Sequence, residues 1–167
     1  MSTILAPGKL MLAGEYAVLD GAPAIVLAVD RGVRCDIAVS DTLDINTPDG
    51  DDRFVRPPLE GHIGQYTFSA WNPTNLSEKP GFGGSAAACV AATLAAGRPA
   101  HDALEVHRTV QGGGSGADVL ASIHGGMIRF QNGSATALDP VCPVVIWSGK
   151  SAKTQPRVDH YLAAKHR

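Results

Sequence analysis

Residues 78–92 read EKPGFGGSAAACVAA, with Gly81, Gly83 and Gly84 inside four positions and an alanine run directly behind them. Glycine loses more conformational freedom on folding than any other residue, so such a cluster needs a geometric or functional reason. Alanine is the strongest helix former. A glycine loop that opens a helix offers unpaired backbone N–H groups and the positive end of the helix dipole, a natural seat for an anion. The sequence predicts a helix from Ser85 to Ala96, closed by Gly97 and stopped by Pro99. Its small side chains would let it lie close to a sheet.

Upstream, residues 24–41, AIVLAVDRGVRCDIAVSD, are rich in Val and Ile and break at Asp30, Arg31 and Gly32, which reads as two strands around a turn. Pro7-Gly8 and Asp20-Gly21 are further turn signals, so the first forty residues read as sheet with tight connections. Residues 42–80 show neither a helical stripe nor clean alternation and read as loop with two short strands. Downstream, a helix is expected from Asp102 to Val110 with Asp102 as its N-cap. A second glycine run, QGGGSGADVLASIHGG, feeds a short helix over 117–123. MIRFQNGSATALDP has Asn132-Gly133 at a hairpin turn, CPVVIWSG reads as a buried strand, and the tail TQPRVDHYLAAKHR starts another helix.

The chain has 167 residues, 44% hydrophobic and 18% charged, enough for one real core. No apolar run approaches bilayer length, and the N-terminus lacks the basic region and cleavage site of a secretion signal, so a cytoplasmic protein without a membrane partner is expected. A net charge of −2 with both signs interspersed offers no basic stripe for nucleic acid. Cys35, Cys89 and Cys142 are far apart among apolar or small residues and read as buried free thiols. The six histidines show no ligand spacing.

Three phosphate-binding patterns compete. Gly81, Gly83 and Ala86 spell G-x-G-x-x-A, but a dinucleotide loop must follow a buried strand, and PTNLSEKP is not one. Gly149-Lys150-Ser151 ends like a Walker loop, yet its first glycine would fall on Val144. The third pattern uses both glycine loops, each opening a helix, to hold a nucleoside triphosphate without a Walker lysine.

Three stretches in order carry a resemblance. APGKLMLAGEYAVL at 6–19, KPGFGGSAA at 79–87 and QGGGSGADVLASIHGG at 111–126 resemble the first motif, the phosphate loop and the catalytic-aspartate segment of the GHMP kinase superfamily of small-molecule kinases. The loop departs from the family's G-L-G-S-S-A-A at Phe82 and Gly84, which removes one hydroxyl. Within the superfamily, Lys79-Pro80 before the loop, the G-E-Y at 14–16 and WSGKSAKT at 147–154 resemble phosphomevalonate kinases more than mevalonate kinases. The resemblance implies an α+β fold of the ribosomal protein S5 domain 2 type over residues 1–140. Residues 141–167 would then open a ferredoxin-like C-terminal domain that the chain leaves incomplete.

It also implies ATP and Mg²⁺ as cofactors and 5-phosphomevalonate as the acceptor, in a monomer or homodimer. Mevalonate kinase, or a shortened nucleotide-binding protein without catalysis, is the alternative. Lys79, Pro80, Gly81, Phe82, Gly83, Gly84, Ser85, Ala86 and Ala87 would hold ATP, with Ser85 also at the metal. Lys9, Asp118 and Lys79 would be catalytic. The acceptor would meet Lys9, Glu15, Tyr16, Ser115, Asp118 and Lys150. Outside that context Lys9 is a solvated lysine beside a Pro-Gly turn, Asp118 a helix cap and Ser85 another. A phosphomonoester acceptor, with a second pKa near ~6, is already ionised at neutral pH. Asp118 is therefore expected to orient Lys9 or the metal, not to take a proton.

Overall fold

A computed structural model describes residues 2–73 and 80–149, together with 158, 160, 161, 163 and 164. It is α+β, with helices packed on a mixed sheet. The central strand is β2 (Ala24–Ala38). Strand β1 (Ser2–Ala13) runs antiparallel along one of its edges. The other edge is shared: β4 (Gly64–Trp71) pairs with residues 32–38 and β5 (Met127–Gln131) with residues 24–27, both antiparallel. Strand β3 (Leu43–Asn46) adds to β4 in parallel, and β6 (Ser134–Leu138) closes a hairpin on β5.

Two sequence breaks have a different meaning from the one expected. Asp30–Gly32 does not turn the chain. The β1–β2 register jumps from Pro7↔Gly32 to Gly8↔Val29, so β2 carries a bulge there and continues as one strand. Pro7, which has no N–H to give a ladder, sits at the irregularity where its absence costs least. Glycine is required on both sides of the bulge. A Cβ on Gly32 would lie 2.1 Å from the Ala6 carbonyl oxygen, and one on Gly8 would lie 2.4 Å from that of Phe82.

The region 42–80 is more ordered than expected. Besides β3 and β4 it holds a short helix, α1 (Arg56–Leu59), begun by prolines. Strand β4 buries Gly64, Tyr66 and Phe68 and exposes Gln65 and Thr67, the period-two alternation of a strand with one face in the core.

Helix α2 (Gly84–Ala95) starts behind Gly83, whose φ is 70°. Ala86, Ala87, Ala91 and Ala92 are fully buried, and these methyl-sized contacts bring the helix axis close to β1 and β2. Helix α3 (Asp102–Gln111) packs on α2 and α4 (Ala117–His124), and α4 packs on β1, β2 and β5. Asp102 is not the N-cap. His101 occupies that position, and Asp102 is held in the first turn by a 2.9 Å ion pair with Arg98. The β5–β6 turn is as expected: Asn132 and Gly133 have φ of 49° and 76°, the paired positive values of a type I′ turn.

The core divides in two. Tyr66, Phe68, Leu59 and the α2 alanines form one cluster, and Val26, Leu120, Ile128 and Phe130 form the other. Each large side chain fully buried in them contributes roughly 1.5–3 kcal/mol. Residues 142–149 form no strand. Val144 and Ile146 are 91% and 89% exposed, because no described strand offers them a ladder. Cys142 is likewise exposed, whereas Cys35 and Cys89 are buried as expected. The described residues of the tail are helical.

Candidate functional site

The glycine loop before α2 is fastened to β1. Lys9 N–H donates to the Phe82 carbonyl at 2.8 Å, an approach possible because Gly8 has no side chain. The Lys9 stem then crosses Gly83 so closely that a Cβ there would lie 2.9 Å from Lys9 Cγ. Gly83 therefore answers two demands, a left-handed φ and a neighbouring lysine chain. Gly84 meets nothing within 4 Å and takes the first helical position.

This loop stands between two cavities. One, of about 590 Å³, lies on the β4 side, lined by Phe54, Phe68, Trp71, Pro80, Phe82 and Thr47 among others. The Thr47 hydroxyl there is buried without a partner. The second, of about 750 Å³, is lined by Lys9, Glu15, Tyr16, Ser115 and Asp118 and by the second glycine run. Gly81, Ser85, Arg53 and Phe54 border both.

Lys9 and Asp118, 109 positions apart in the chain (118 − 9), thus reach one space from opposite ends of the sequence. Strand β1 carries the lysine and the N-terminus of α4 carries the aspartate. No ion pair joins them; Asp118 Oδ1 instead accepts from Val119 N–H at 2.9 Å at the start of its own helix. Ser115 Oγ accepts from Ala117 N–H at 3.3 Å, so part of its hydrogen-bonding capacity serves the helix start. Tyr16 has a φ of 63°, and the Tyr161 ring stacks on it at 5.7 Å while the Tyr161 hydroxyl donates to Asp20 at 2.6 Å. Val158, on the same tail, also lines the larger cavity.

Not every expected residue reaches the site. Ala86 and Ala87 are fully buried and line neither cavity, and Ala87 N–H donates to the Gly83 carbonyl within the helix. Both serve packing. Lys79 and Lys150 lie outside the described residues.

Arg53, Phe54, His107 and Arg108 are charged or aromatic residues of the cavity that carried no expectation. His107 is 3% exposed, its ring stacks on Phe54 at 4.9 Å, and its Nε2 lies 3.3 Å from Ser85 Oγ. Burial pushes the imidazole below its ordinary range, with the Asp118 carboxylate acting weakly in the other direction. A signal for His107 exists in the sequence: with Ala103 it forms an i, i+4 pair on the buried face of α3. Arg53 and Phe54 lie in an irregular polar stretch with no periodicity to mark them.

No family model matches the chain. Over 180 residues it is 29% identical to the mevalonate kinase of Methanothermobacter thermautotrophicus, an alignment that takes in 91% of this chain and 59% of that protein. A second match, 57% identical over 37 residues, links 22% of the chain with 10% of the phosphomevalonate kinase of Streptomyces sp. (strain CL190). Among solved structures, Streptococcus pneumoniae phosphomevalonate kinase in complex with phosphomevalonate and AMPPNP has the same fold. It superposes with a TM-score of 0.62 at 18% identity, over 98% of this chain and 55% of that one. The chain spans little more than half the length of the relatives it matches along most of its own sequence.

Proposed function

Because the chain belongs to the GHMP kinase superfamily, we propose that it transfers the γ-phosphoryl group of ATP to 5-phosphomevalonate, giving the diphosphate and ADP. The observation that carries this reading is the position of the 81–85 loop, a helix-opening glycine turn forming a common wall between two cavities, with Lys9 laid across it. The aromatic cavity on the β4 side, with Phe54, Phe68, Trp71 and Phe82 in its wall, suits a purine base. The larger cavity suits the acceptor. Lys9 and Arg108 bring positive charge to it, and Arg53, held by Asp51 at 2.7 Å, borders it as well, alongside the carboxylates of Glu15 and Asp118. In this reading residues 1–140 are the nucleotide-binding domain and 141–167 open a ferredoxin-like second domain.

Phosphoryl transfer leaves little covalent chemistry to the protein, so these residues act by position and charge. The helix N-terminus and Gly83–Ser85 face the phosphates. Lys9, fixed by its backbone bond and by Gly83, brings an ammonium to the charge that spreads between donor and acceptor. Asp118 faces the same space and needs to take no proton from an acceptor already ionised. Among the described residues no group of three or more His, Cys, Asp and Glu could cage a metal. That fits Mg²⁺, which is held by one or two carboxylates together with substrate phosphates and water. Asp118 and Glu15 are the residues that would hold it, with the Ser85 hydroxyl left to the phosphates, and the ion would neutralise phosphate charge.

Incubating the chain with Mg·ATP and phosphomevalonate, mevalonate or no acceptor, while following ADP release, tests the proposal. Turnover with phosphomevalonate alone is expected. Turnover with mevalonate alone would favour the second reading, mevalonate kinase, to which the longer sequence match points. Nucleotide binding without turnover on either acceptor would mark a non-catalytic nucleotide-binding protein.

A further inference from the structure

Ser85 and His107 lie 22 residues apart, on the first turn of α2 and the second turn of α3, and meet at 3.3 Å between Oγ and Nε2. Ser85 borders both cavities; His107 borders the larger one and is otherwise enclosed, its ring flat against Phe54. The charged groups around that cavity are Lys9 from β1, Arg53 from the loop before α1, Arg108 from α3, Asp118 from α4 and Glu15.

We infer that His107 is a positioning residue that donates its Nε2–H to Ser85 Oγ and thereby turns the Ser85 hydroxyl proton toward the triphosphate. This rests on the nucleotide loop proposed above and extends it to a residue outside the loop.

The argument is one of hydrogen-bond capacity. A serine hydroxyl has one proton to give and two lone pairs to receive. A neutral imidazole has one N–H, on either nitrogen, and accepts on the other. If Nε2 accepts, the Ser85 proton points into the protein and only lone pairs face the phosphate oxygens, which are acceptors themselves. If Nε2–H donates, the Ser85 proton is released to them, and a chain of donors runs from the imidazole through the hydroxyl to the anion. A bound triphosphate therefore selects the Nε2–H tautomer. The stack on Phe54 fixes the ring plane that aims Nε2 at Oγ.

Two measurements on the whole chain test this. The ¹⁵N shifts of the His107 ring, recorded with and without Mg·AMPPNP, should report a protonated Nε2 and an unprotonated Nδ1 in the bound state; the opposite tautomer would overturn the inference. Calorimetric titration of Mg·AMPPNP should show His107→Phe, which keeps a flat ring but no donor, binding about tenfold more weakly, the scale of one hydrogen bond to a charged group. His107→Gln, whose side-chain amide reaches the Nε2 position, should recover most of that loss. In a Ser85→Ala background His107→Phe should change affinity no further, because the two act in series. Additive losses, or no rescue by glutamine, would show a packing role only. If the unmutated chain fails to bind Mg·AMPPNP, the nucleotide loop itself is wrong and this inference falls with it. If it binds and the tautomer and cycle disagree with expectation, the inference alone is lost.

Discussion

Lys9 was marked by its motif, but the reason for its neighbours lies in space. Gly8, Gly32 and Gly83 are each excluded from carrying a side chain by atoms distant in sequence, so no local pattern reveals why they are glycine. Lys9→Met keeps the stem over Gly83 and removes only the ammonium. It should lower turnover on the order of 10²-fold or more while leaving the melting temperature nearly unchanged, as seen by ADP release and thermal unfolding in parallel. Thiol chemistry gives a second check. Burial pushes the Cys35 and Cys89 thiols up to about 12, from an ordinary 9.0, so both stay protonated at neutral pH. Iodoacetamide should label Cys142 in the folded chain and all three cysteines in urea, as read by mass spectrometry. His107 gives a third. Its imidazole titrates lower in the folded chain than in the unfolded one, so between those two values the unfolded chain binds more protons. Its contribution to stability is then full above the ordinary value of 6.5 and declines as pH falls below it, which urea melts of wild type and His107→Phe across pH 5–7 should resolve.

At the scale of elements, the helices were legible and the strands were less so. The alanines of α2, the glycine before it and the stop after it all point one way, and Asn132-Gly133 specified its turn outright. Strand β2 was read as two because Asp30 to Gly32 looks like a turn locally; only its pairing with Pro7 and Gly8 makes it a bulge. Strands β3 and β4 are the two short strands expected within 42–80, but the alternation of Tyr66 and Phe68 with Gln65 and Thr67 is too short, behind prolines and charged residues, to fix their bounds. No strand forms at 142–149, where an apolar sequence lacks a described partner strand. The two glycines at the start of α2 should separate under mutation. Gly83→Ala forces a left-handed φ and pushes on Lys9, and should cost about 1–3 kcal/mol in urea unfolding as well as nucleotide affinity. Gly84→Ala has open space in a helical turn and should stabilise by about 0.5–1 kcal/mol.

For the whole molecule, the sheet brings an N-terminal lysine and an aspartate from the last packed helix onto one cavity, a result of topology that spacing alone could not supply. No described helix is long and apolar enough to cross a membrane. If the folded chain binds Mg·ATP and the unfolded chain does not, nucleotide at a hundred times its Kd should raise unfolding free energy by about 2.7 kcal/mol, a shift visible in urea titrations with and without it. An unchanged midpoint would argue against a preformed site. Arg53, Phe54, Gly81 and Ser85 belong to both chambers at once. Whatever enters on one side stiffens or displaces atoms that its counterpart must touch, so the affinities of the two guests are tied together, and by thermodynamic reciprocity each alters the other's by the same factor.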